Sequence, residues 1–298
     1  MNMNMETSPV IPIVVRTKNN DDILAQTLEG IYSQKDVTFE VIILDSGSID
    51  KTLEIAQNYP VRVVHYKEVY VPGNVINSII DQCESDIIVF INSDTVCLSP
   101  YSLKYLIAPL ADAGVAATYG RQVTRPDAEP WVIRDYEKSF PESSIKPPWM
   151  FFSFPIASLK KSVWIQHKIY TDAWGSEDTE WGHWVVENTD KKITYVPKAV
   201  AMHSHNYTLK QLHNRKFIEG EADFFIFKEK ISYMCHFEKF IRRCFSEFVF
   251  YFRNRYFLGI AFIPIRNLFY FVGYIRGMKN GIKREHQGDS QLGFKNYQ

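Results

Sequence analysis

The residues best placed to do chemistry are carboxylates that follow apolar runs. Asp45 directly follows the run at 40–44, and Asp94 comes shortly after the run at 86–91. Such runs are typical of buried strands in a parallel sheet, and ligands bind at the carboxyl ends of those strands. Asp45 is therefore placed to accept hydrogen bonds from a ribose or a base, and Asp94 to bind a divalent cation. The simpler alternative is that both residues begin turns.

A second candidate site lies at 174–181, where three carboxylates stand between two tryptophans. A carboxylate flanked by apolar rings has a raised pKa, so it can serve as a general base. Glu177 and Asp178 would point in different directions on a helix, so one can face a cleft while the other braces it. The alternative is an ordinary helix start, where the macrodipole favours acidic side chains.

Two histidines, His203 and His205, follow the last strand-like run, Lys192–Met202. Imidazole is a metal ligand, so either ring could complete a metal site that begins at Asp94. A structural role is the more common one for a single histidine. The position at a strand end, in a chain that already has a candidate metal carboxylate, favours ligation.

The elements that must position these residues alternate between strands and helices. Between residues 11 and 92, short apolar runs are separated by helical patterns, which predicts βαβ units and a mostly parallel sheet. The segment 122–148 is rich in Pro, Glu and Arg and is expected to form a long irregular loop. We expect a disordered start at 1–8, an α/β domain at 9–225 and a helical, aromatic-rich extension at 226–298.

The amino-acid composition narrows the classes of protein to which the chain can belong. Lys plus Arg and Asp plus Glu both total 34, so no overall field favours nucleic acid. The four cysteines have no CxxC spacing, which fits reduced thiols in the cytoplasm. The first residues lack the basic and apolar regions of a signal peptide. We therefore expect a globular protein of the cytoplasm.

One apolar stretch, 256–274, raises the question of membrane contact. Pro264, Arg266 and Asn267 interrupt its centre, where a charge is costly in lipid, so it is a poor spanning helix. An apolar stretch with basic flanks suits a helix that lies in a membrane interface. Packing against the domain or against a partner subunit is the alternative, and the sequence favours neither.

The motifs together resemble those of the family 2 nucleotide-sugar glycosyltransferases of the GT-A fold. Within that family the chain looks like the bacterial rhamnosyltransferases that build O-antigen and other surface polysaccharides. The resemblance runs in the expected order through residues 10–225, and 119–130 and 203–211 are its most specific segments. Its other matching segments are 14–19, 44–50, 92–94, 151–153 and 177–181.

The resemblance implies a role for each candidate residue. Asp178 would be the base that deprotonates the acceptor hydroxyl, with Glu177 beside it. Asp94 would bind the Mg²⁺ or Mn²⁺ that bridges the donor diphosphate, with His203 as the first choice of further ligand and His205 as the alternative. The donor would contact Thr17, Asp45, Ser48, Asn77 and Asn92, and its sugar end or the acceptor would be lined by Arg121, Gln122 and Arg125.

The reaction implied by the resemblance is a single in-line displacement that inverts the anomeric carbon. The donor would be a nucleotide-diphosphate sugar, with dTDP-rhamnose as the family-level expectation, and the acceptor a glycan or a lipid-linked glycan. The enzyme would act in the cytoplasm, with peripheral contact to the inner membrane through the C-terminal region. Nucleic acid is not an expected partner.

Two rival interpretations remain. Asn92 stands where the DxD motif of the GT-A fold has its first Asp, so the chain could be a non-catalytic sugar- or nucleotide-binding member of the fold. The intact pair of Glu177 and Asp178 argues against that interpretation. A nucleotidyltransferase would carry a basic Gly-rich loop near the N-terminus, and the sequence has none.

Overall fold

One mixed sheet carries the fold. The computed structural model describes residues 10–171, 174–228 and 230–288. Within these residues the sheet has eight strands: β1 (Ile11–Thr17), β2 (Phe39–Asp45), β3 (Val61–His65), β4 (Ile87–Asn92), β5 (Val96–Cys97), β6 (Val115–Val123), β7 (Ile156–Lys160) and β8 (Lys192–Met202). Their order across the sheet is β3-β2-β1-β4-β7-β6-β8-β5.

The strand directions confirm the predicted α/β fold with a mostly parallel central sheet. β3, β2, β1 and β4 run parallel, and so do β6 and β8, whereas β7 is antiparallel to both β4 and β6. The short β5 is antiparallel to β8. Thr17 is in register with Asp45, and Arg16 with Asn92, so polar residues from three strands meet at one edge of the sheet.

Apolar side chains fill a core on each face of the sheet, because successive residues of a strand point to opposite faces. Along β1, Val14 belongs to one core, and Ile13 and Val15 belong to the other. The first core is covered by α3 (Pro72–Ile80), α6 (Lys161–Trp164) and α7 (Glu177–Asn188). The second core is covered by α1 (Leu24–Tyr32), α2 (Thr52–Ala56) and α4 (Ser102–Ile107).

The segment 122–148, expected to be an irregular loop, contains a helix, so that prediction was wrong in part. The helix α5 (Pro130–Ser139) begins with a proline, whose missing N–H costs nothing in the first turn. Trp131 is buried, and Arg134 is buried in ion pairs with acidic side chains. The helix was not predicted because its segment is rich in charged residues, and a buried, ion-paired arginine is not counted as an apolar position in a helical pattern.

The C-terminal region is helical, as predicted. It consists of α8 (Leu209–Phe227), α9 (Tyr233–Arg253) and α10 (Ile263–His286), with a short 3-10 segment at Phe257–Phe262. Thr208 and Gln211 form a capping box that starts α8 after the last strand. The predicted disordered segment 1–8 lies outside the described residues.

Helices α8 and α10 pack at very short range through glycines. A Cβ added to Gly277 would lie 2.0 Å from the carbonyl oxygen of Phe217, and one added to Gly220 would lie 2.1 Å from the carbonyl oxygen of Tyr274. The domain boundary predicted after residue 225 falls inside α8. The glycine contacts show that α8 packs closely on α10, and the bounds of the two domains stay a prediction.

Candidate active site

An open cleft of about 770 Å³ lies where β1, β2 and β4 end. Three residues expected at a donor site, Thr17, Asn92 and Asp94, line it. Two cations, Arg16 and Lys18, also line it and make it suitable for an anionic ligand. The other lining residues are Asn20, Ser46, Val69, Tyr70, Ser93 and Trp174.

A cluster able to hold a metal ion includes Asp94 of this cleft. Asp94, His203 and His205 each offer one ligand atom, and these atoms all lie within 4.8 Å of one another. His205 Nε2 is 3.1 Å from one oxygen of Asp94, and His203 Nε2 is 3.7 Å from the other. The three residues predicted as metal ligands are thus brought together from the β4–β5 turn and from the segment that follows β8.

A buried amide fixes the orientation of the His203 ring. Gln122 donates through Nε2 to Ser153 Oγ at 2.9 Å, which leaves its Oε1 to accept from His203 Nδ1 at 2.8 Å. The proton of the neutral ring is therefore held on Nδ1, and Nε2 is left with a lone pair that faces Asp94. This is the support that a metal-ligating histidine commonly receives from its second ring nitrogen.

The protonation states of the cluster suit a cation. Burial lowers the pKa of His203 to about 4, so its ring is neutral at physiological pH. Burial raises the pKa of Asp94, but the hydrogen bond from His205 and the charges of both histidines outweigh that effect and bring the pKa down to about 2. An ionised carboxylate and the neutral imidazole of His203 are ligands of the kind that a divalent metal requires.

Arg16 links the cluster side of the cleft to the acids of α7. It donates to Asn92 Oδ1 at 2.8 Å and to Glu177 Oε1 at 3.4 Å, and its guanidinium lies 5.4 Å from the ring centre of Phe154. Glu177 is only 9% exposed, so its charge is compensated by this arginine. The side-chain oxygen of Asn92 is therefore engaged by a hydrogen bond from Arg16.

Asp178, next along α7, has the properties of a general base. Burial raises its pKa, the neighbouring charge of Glu177 raises it further, and the result is a pKa of about 7. Backbone N–H groups of Thr179 and Phe154 and the charge of Arg16 act in the opposite direction. A carboxylate with a pKa near 7 can accept a proton at neutral pH and is a stronger base than an ordinary aspartate.

The residues expected to touch the nucleoside are held by turn contacts. Asp45 is 2% exposed and accepts from the backbone N–H of Gly47 and of Ser48, each at 3.1 Å. Ser48 Oγ accepts from the backbone N–H of Asn19 at 3.0 Å, which ties the β2–α2 loop to the β1–α1 loop. The observed contacts of Asp45 are therefore those of a residue that begins a turn. Contact between Asp45 and a nucleoside stays a prediction.

Two predicted binding residues, Asn77 and Gln122, have side-chain amides that are engaged within the protein. Asn77 accepts from Trp164 Nε1 at 2.8 Å and donates to the carbonyl of Ile169 at 2.8 Å, so its amide joins α3 to the segment after α6. Gln122 is 3% exposed, and its amide is occupied by the contacts with Ser153 and His203 described above. The resemblance implied a binding role for both residues, and those roles stay predictions.

The two predicted arginines of the 119–130 segment differ in position. Arg125 donates to the backbone carbonyl of Asp94 at 3.4 Å, so it stands beside the metal cluster. Arg121 forms an ion pair with the exposed Glu142 at 2.9 Å. Arg125 is therefore the one placed to meet a charged group at the cluster.

Sequence reasoning missed Arg16 and Tyr136. Arg16 lies in the matching segment 14–19, and a lone arginine in the otherwise apolar strand Ile11–Thr17 was a signal that a buried acid would pair with it. The hydroxyl of Tyr136 lies 3.4 Å from His203 Nδ1. No signal for Tyr136 was available, because the helix that carries it was not predicted.

Comparisons with known proteins agree with this geometry. Residues 13–174 match the family model described as "Glycosyl transferase family 2". The chain is 24% identical over 229 residues to the O-antigen chain rhamnosyltransferase RfbN of Salmonella typhimurium, covering 70% of this chain and 71% of that protein. It is 29% identical over 199 residues to the O-antigen chain rhamnosyltransferase WbaN of Salmonella anatum, covering 61% of each.

Solved structures with the same fold are more distant in sequence. The mannosyltransferase PcManGT from Pyrobaculum calidifontis, in complex with GDP-Man and Mn²⁺, aligns with a TM-score of 0.60 at 16% identity, over 93% of this chain and 76% of that one. Glucosyl-3-phosphoglycerate synthase from Mycobacterium tuberculosis, with Mn²⁺ and UDP, aligns with a TM-score of 0.54 at 18% identity, over 72% and 77%. Because the family model spans more than half of the chain and the fold agrees, the protein belongs to glycosyl transferase family 2 and is a glycosyltransferase of the GT-A fold.

Proposed function

We propose that this glycosyltransferase moves rhamnose from dTDP-rhamnose to a hydroxyl of a lipid-linked glycan, with inversion at the anomeric carbon, in the synthesis of an O-antigen or similar surface polysaccharide. The observation that carries the proposal is the position of Arg16. It lines the same cleft as Asp94 of the metal-competent cluster, and it pairs with Glu177, the neighbour of the Asp178 carboxyl of raised pKa.

The donor half of the cleft suits a nucleotide diphosphate. Arg16 and Lys18 supply positive charge, and Asp94 with its two histidines supplies a metal-ligand set. A divalent cation bound there would neutralise the charge that develops on the leaving diphosphate. Two imidazole nitrogens suit Mn²⁺ better than Mg²⁺, because Mg²⁺ prefers oxygen ligands.

The acceptor half rests on Asp178. The proposed step is attack of the acceptor oxygen on the anomeric carbon, while Asp178 takes the hydroxyl proton and the bond to the diphosphate breaks. A positioned base of this kind contributes roughly a hundredfold to ten-thousandfold in rate. Glu177 positions the base by holding Arg16, and no protein nucleophile is needed in a single displacement.

The identity of the donor and acceptor is supported by the relatives. Two of them carry the name O-antigen chain rhamnosyltransferase. The four cysteines are free thiols, which agrees with a cytoplasmic site of action. We infer that the enzyme works there, at the membrane surface where a lipid-linked acceptor is exposed.

A donor screen tests the proposal. Purified protein would be incubated with Mn²⁺ or Mg²⁺ and dTDP-, UDP- and GDP-sugars, with nucleoside diphosphate release and thermal shift as readouts. We expect dTDP-rhamnose with Mn²⁺ to give the largest shift, and an Asp94→Asn variant to lose it. Asp36→Asn, at an exposed surface ion pair, is the matched control and should keep it. A larger response to a UDP- or GDP-sugar would overturn the choice of donor.

The second candidate, a non-catalytic binding member, is favoured by Asn92, whose oxygen is taken by Arg16. The same screen separates the candidates when it includes the Asp178→Asn variant. Metal-dependent binding of a donor without any release of nucleoside diphosphate, in the presence of a lipid-linked glycan fraction, would favour the non-catalytic function. Release that depends on Asp178 would favour the transferase.

A further inference from the structure

An exposed apolar stripe runs the length of α9. Its members recur every three or four residues, which places them on one side of the helix. Phe245 is 68% exposed and Phe252 is 59% exposed, although a free aromatic face of this size is normally covered. The stripe consists of Met234, Phe237, Ile241, Phe245, Phe248 and Phe252.

The stripe continues onto the 3-10 segment and the start of α10. The rings of Phe252 and Phe257 are 5.9 Å apart, so the stripe of α9 meets the 3-10 segment. The rings of Phe240 and Phe271, also 5.9 Å apart, join α9 to α10. Leu258, at 96% exposure, is the most prominent member. The added exposed residues are Phe257, Leu258, Phe262, Ile265, Leu268 and Phe269; with the stripe of α9 they form the apolar face.

The exposed charges of α9, α10 and the turn between them are mostly positive, and we call these basic residues the basic rim. The acids between residues 233 and 286 are Glu238, Glu247 and Glu285. Glu247 is fully buried, and Glu238 and Glu285 are each held in an ion pair. The exposed basic residues of α9 and α10 and of the turn between them include Lys239, Arg253, Arg255, Arg276, Lys279 and Lys283.

The segment that contains α10 cannot cross a bilayer without losing contacts that hold it to α8 and α9. Phe257–His286 is long and apolar enough to span by length and composition, with a mean hydropathy of 1.5 over an 18-residue window. However, Arg266 pairs with the buried Glu247 at 2.7 Å beneath the apolar face, and the glycines of α10 lie against the backbone of α8. Spanning would break both contacts and place the charge of Arg266 in lipid.

We propose that the apolar face docks on an anionic lipid surface, with α9 and the start of α10 lying in the plane of the interface. A basic rim matches anionic headgroups, and the aromatic side chains match the acyl boundary. A second copy of this chain is the weaker choice of occupant. A two-fold contact through this face would bring one basic rim against another.

The apolar face is also connected to the active site. Arg266 lies 5.5 Å from the ring centre of Trp131, the ring of Trp131 contacts that of Tyr207, and the ring of Tyr207 contacts that of His205 in the metal cluster. Docking would therefore hold the cleft near the membrane surface. This inference deepens the proposed function, because it supplies the surface on which a lipid-linked acceptor would be met.

Vesicle flotation with the full chain tests docking without any sugar donor, so its failure is distinguishable from failure of the transferase proposal. Vesicles of phosphatidylethanolamine with phosphatidylglycerol would be compared with vesicles of phosphatidylcholine alone. We expect the chain to float with the anionic vesicles, and Phe245→Glu/Leu258→Glu to lower its partition coefficient by about tenfold or more. Ile165→Glu, at an exposed apolar residue of the α/β domain, is the matched control and should float like the native chain.

A second variant tests the rim separately from the apolar residues. Arg253→Gln/Arg255→Gln should lower binding to anionic vesicles by roughly fivefold for each charge and leave binding to neutral vesicles unchanged. Circular dichroism and metal-dependent thermal shift would establish that each variant is folded. A native chain that stays unbound to anionic vesicles overturns the proposal. So does a dimer in light scattering that only Phe245→Glu/Leu258→Glu dissociates, because the occupant would then be a second copy.

Discussion

Replacing Asp178 by asparagine should abolish most of the activity while making the protein more stable at alkaline pH. Asparagine has nearly the same shape and can still accept a hydrogen bond from Thr179, but it carries no charge. The pKa of Asp178 rises from an ordinary 3.8 to about 7, chiefly because the carboxyl is buried and secondly because Glu177 is charged. The folded native chain therefore keeps a proton that the unfolded chain has already lost.

The sign and size of the stability effect follow from this difference. Between about pH 4 and pH 7 the folded state binds more protons than the unfolded state, so the stability of the native chain falls as pH rises. At 1.36 kcal/mol per pKa unit the penalty above pH 7 has an upper limit of about 4 kcal/mol. We expect about 1–3 kcal/mol to be measured, because rearrangement and water penetration relieve part of the cost of burying a charge.

Urea unfolding of both chains at about pH 5 and about pH 8 measures this effect. The advantage of the Asp178→Asn variant in free energy of unfolding should be larger at the higher pH. In parallel, kcat should fall by roughly a hundredfold to ten-thousandfold, and the rise of native activity with pH should be centred near 7. Equal pH dependence of stability in the two chains, or an active variant, would refute the assignment of Asp178 as a base of raised pKa.

Three further predictions concern residues around the site and in the extension. Gln122→Leu should weaken Mn²⁺ binding by about tenfold to a hundredfold in calorimetric titration, because the His203 ring loses the partner that orients it; unchanged affinity would exclude that support. Glu177→Gln should move the rising limb of the pH–activity profile to lower pH, because the charge that raises the pKa of Asp178 is removed; a move to higher pH would contradict this electrostatic coupling. Gly277→Ala should cost about 1–3 kcal/mol in unfolding, because its Cβ would overlap the backbone of α8; unchanged stability would show that the helices separate easily.

The order of elements in the α/β domain was predictable from local pattern. Apolar runs of β1, β2 and β4 are followed by polar residues, and parallel strands bring their carboxyl ends to one edge of a sheet. Thr17, Asn92 and Asp94 were therefore predictable as neighbours of one cleft. The helix α5 was not predictable, because in the sequence its buried arginine and its paired acids look like an exposed loop.

The residue types of the site could be predicted from the sequence, but the contacts that each residue makes could not. Gln122 and Asn77 both carry amides suited to ligand contact, and only the packing of distant segments shows that they contact Ser153, His203 and Trp164. Their separation along the chain from these partners exceeds what any local pattern encodes. The same holds for the pKa of Asp178, which depends on burial contributed by other elements.

By itself the sequence determined the chemistry that this chain can offer: carboxylates at strand ends, two histidines after the last strand, and adjacent acids at a helix start. These features are local, because periodicity and residue type act over a few neighbouring positions. The packing of distant segments brings Asp94 to both histidines and pairs Arg16 with Glu177. It also places α10 on α8 while the apolar face stays exposed. Those outcomes depend on which surfaces are buried when distant segments pack, since burial and partner charge set the free energy of every polar group.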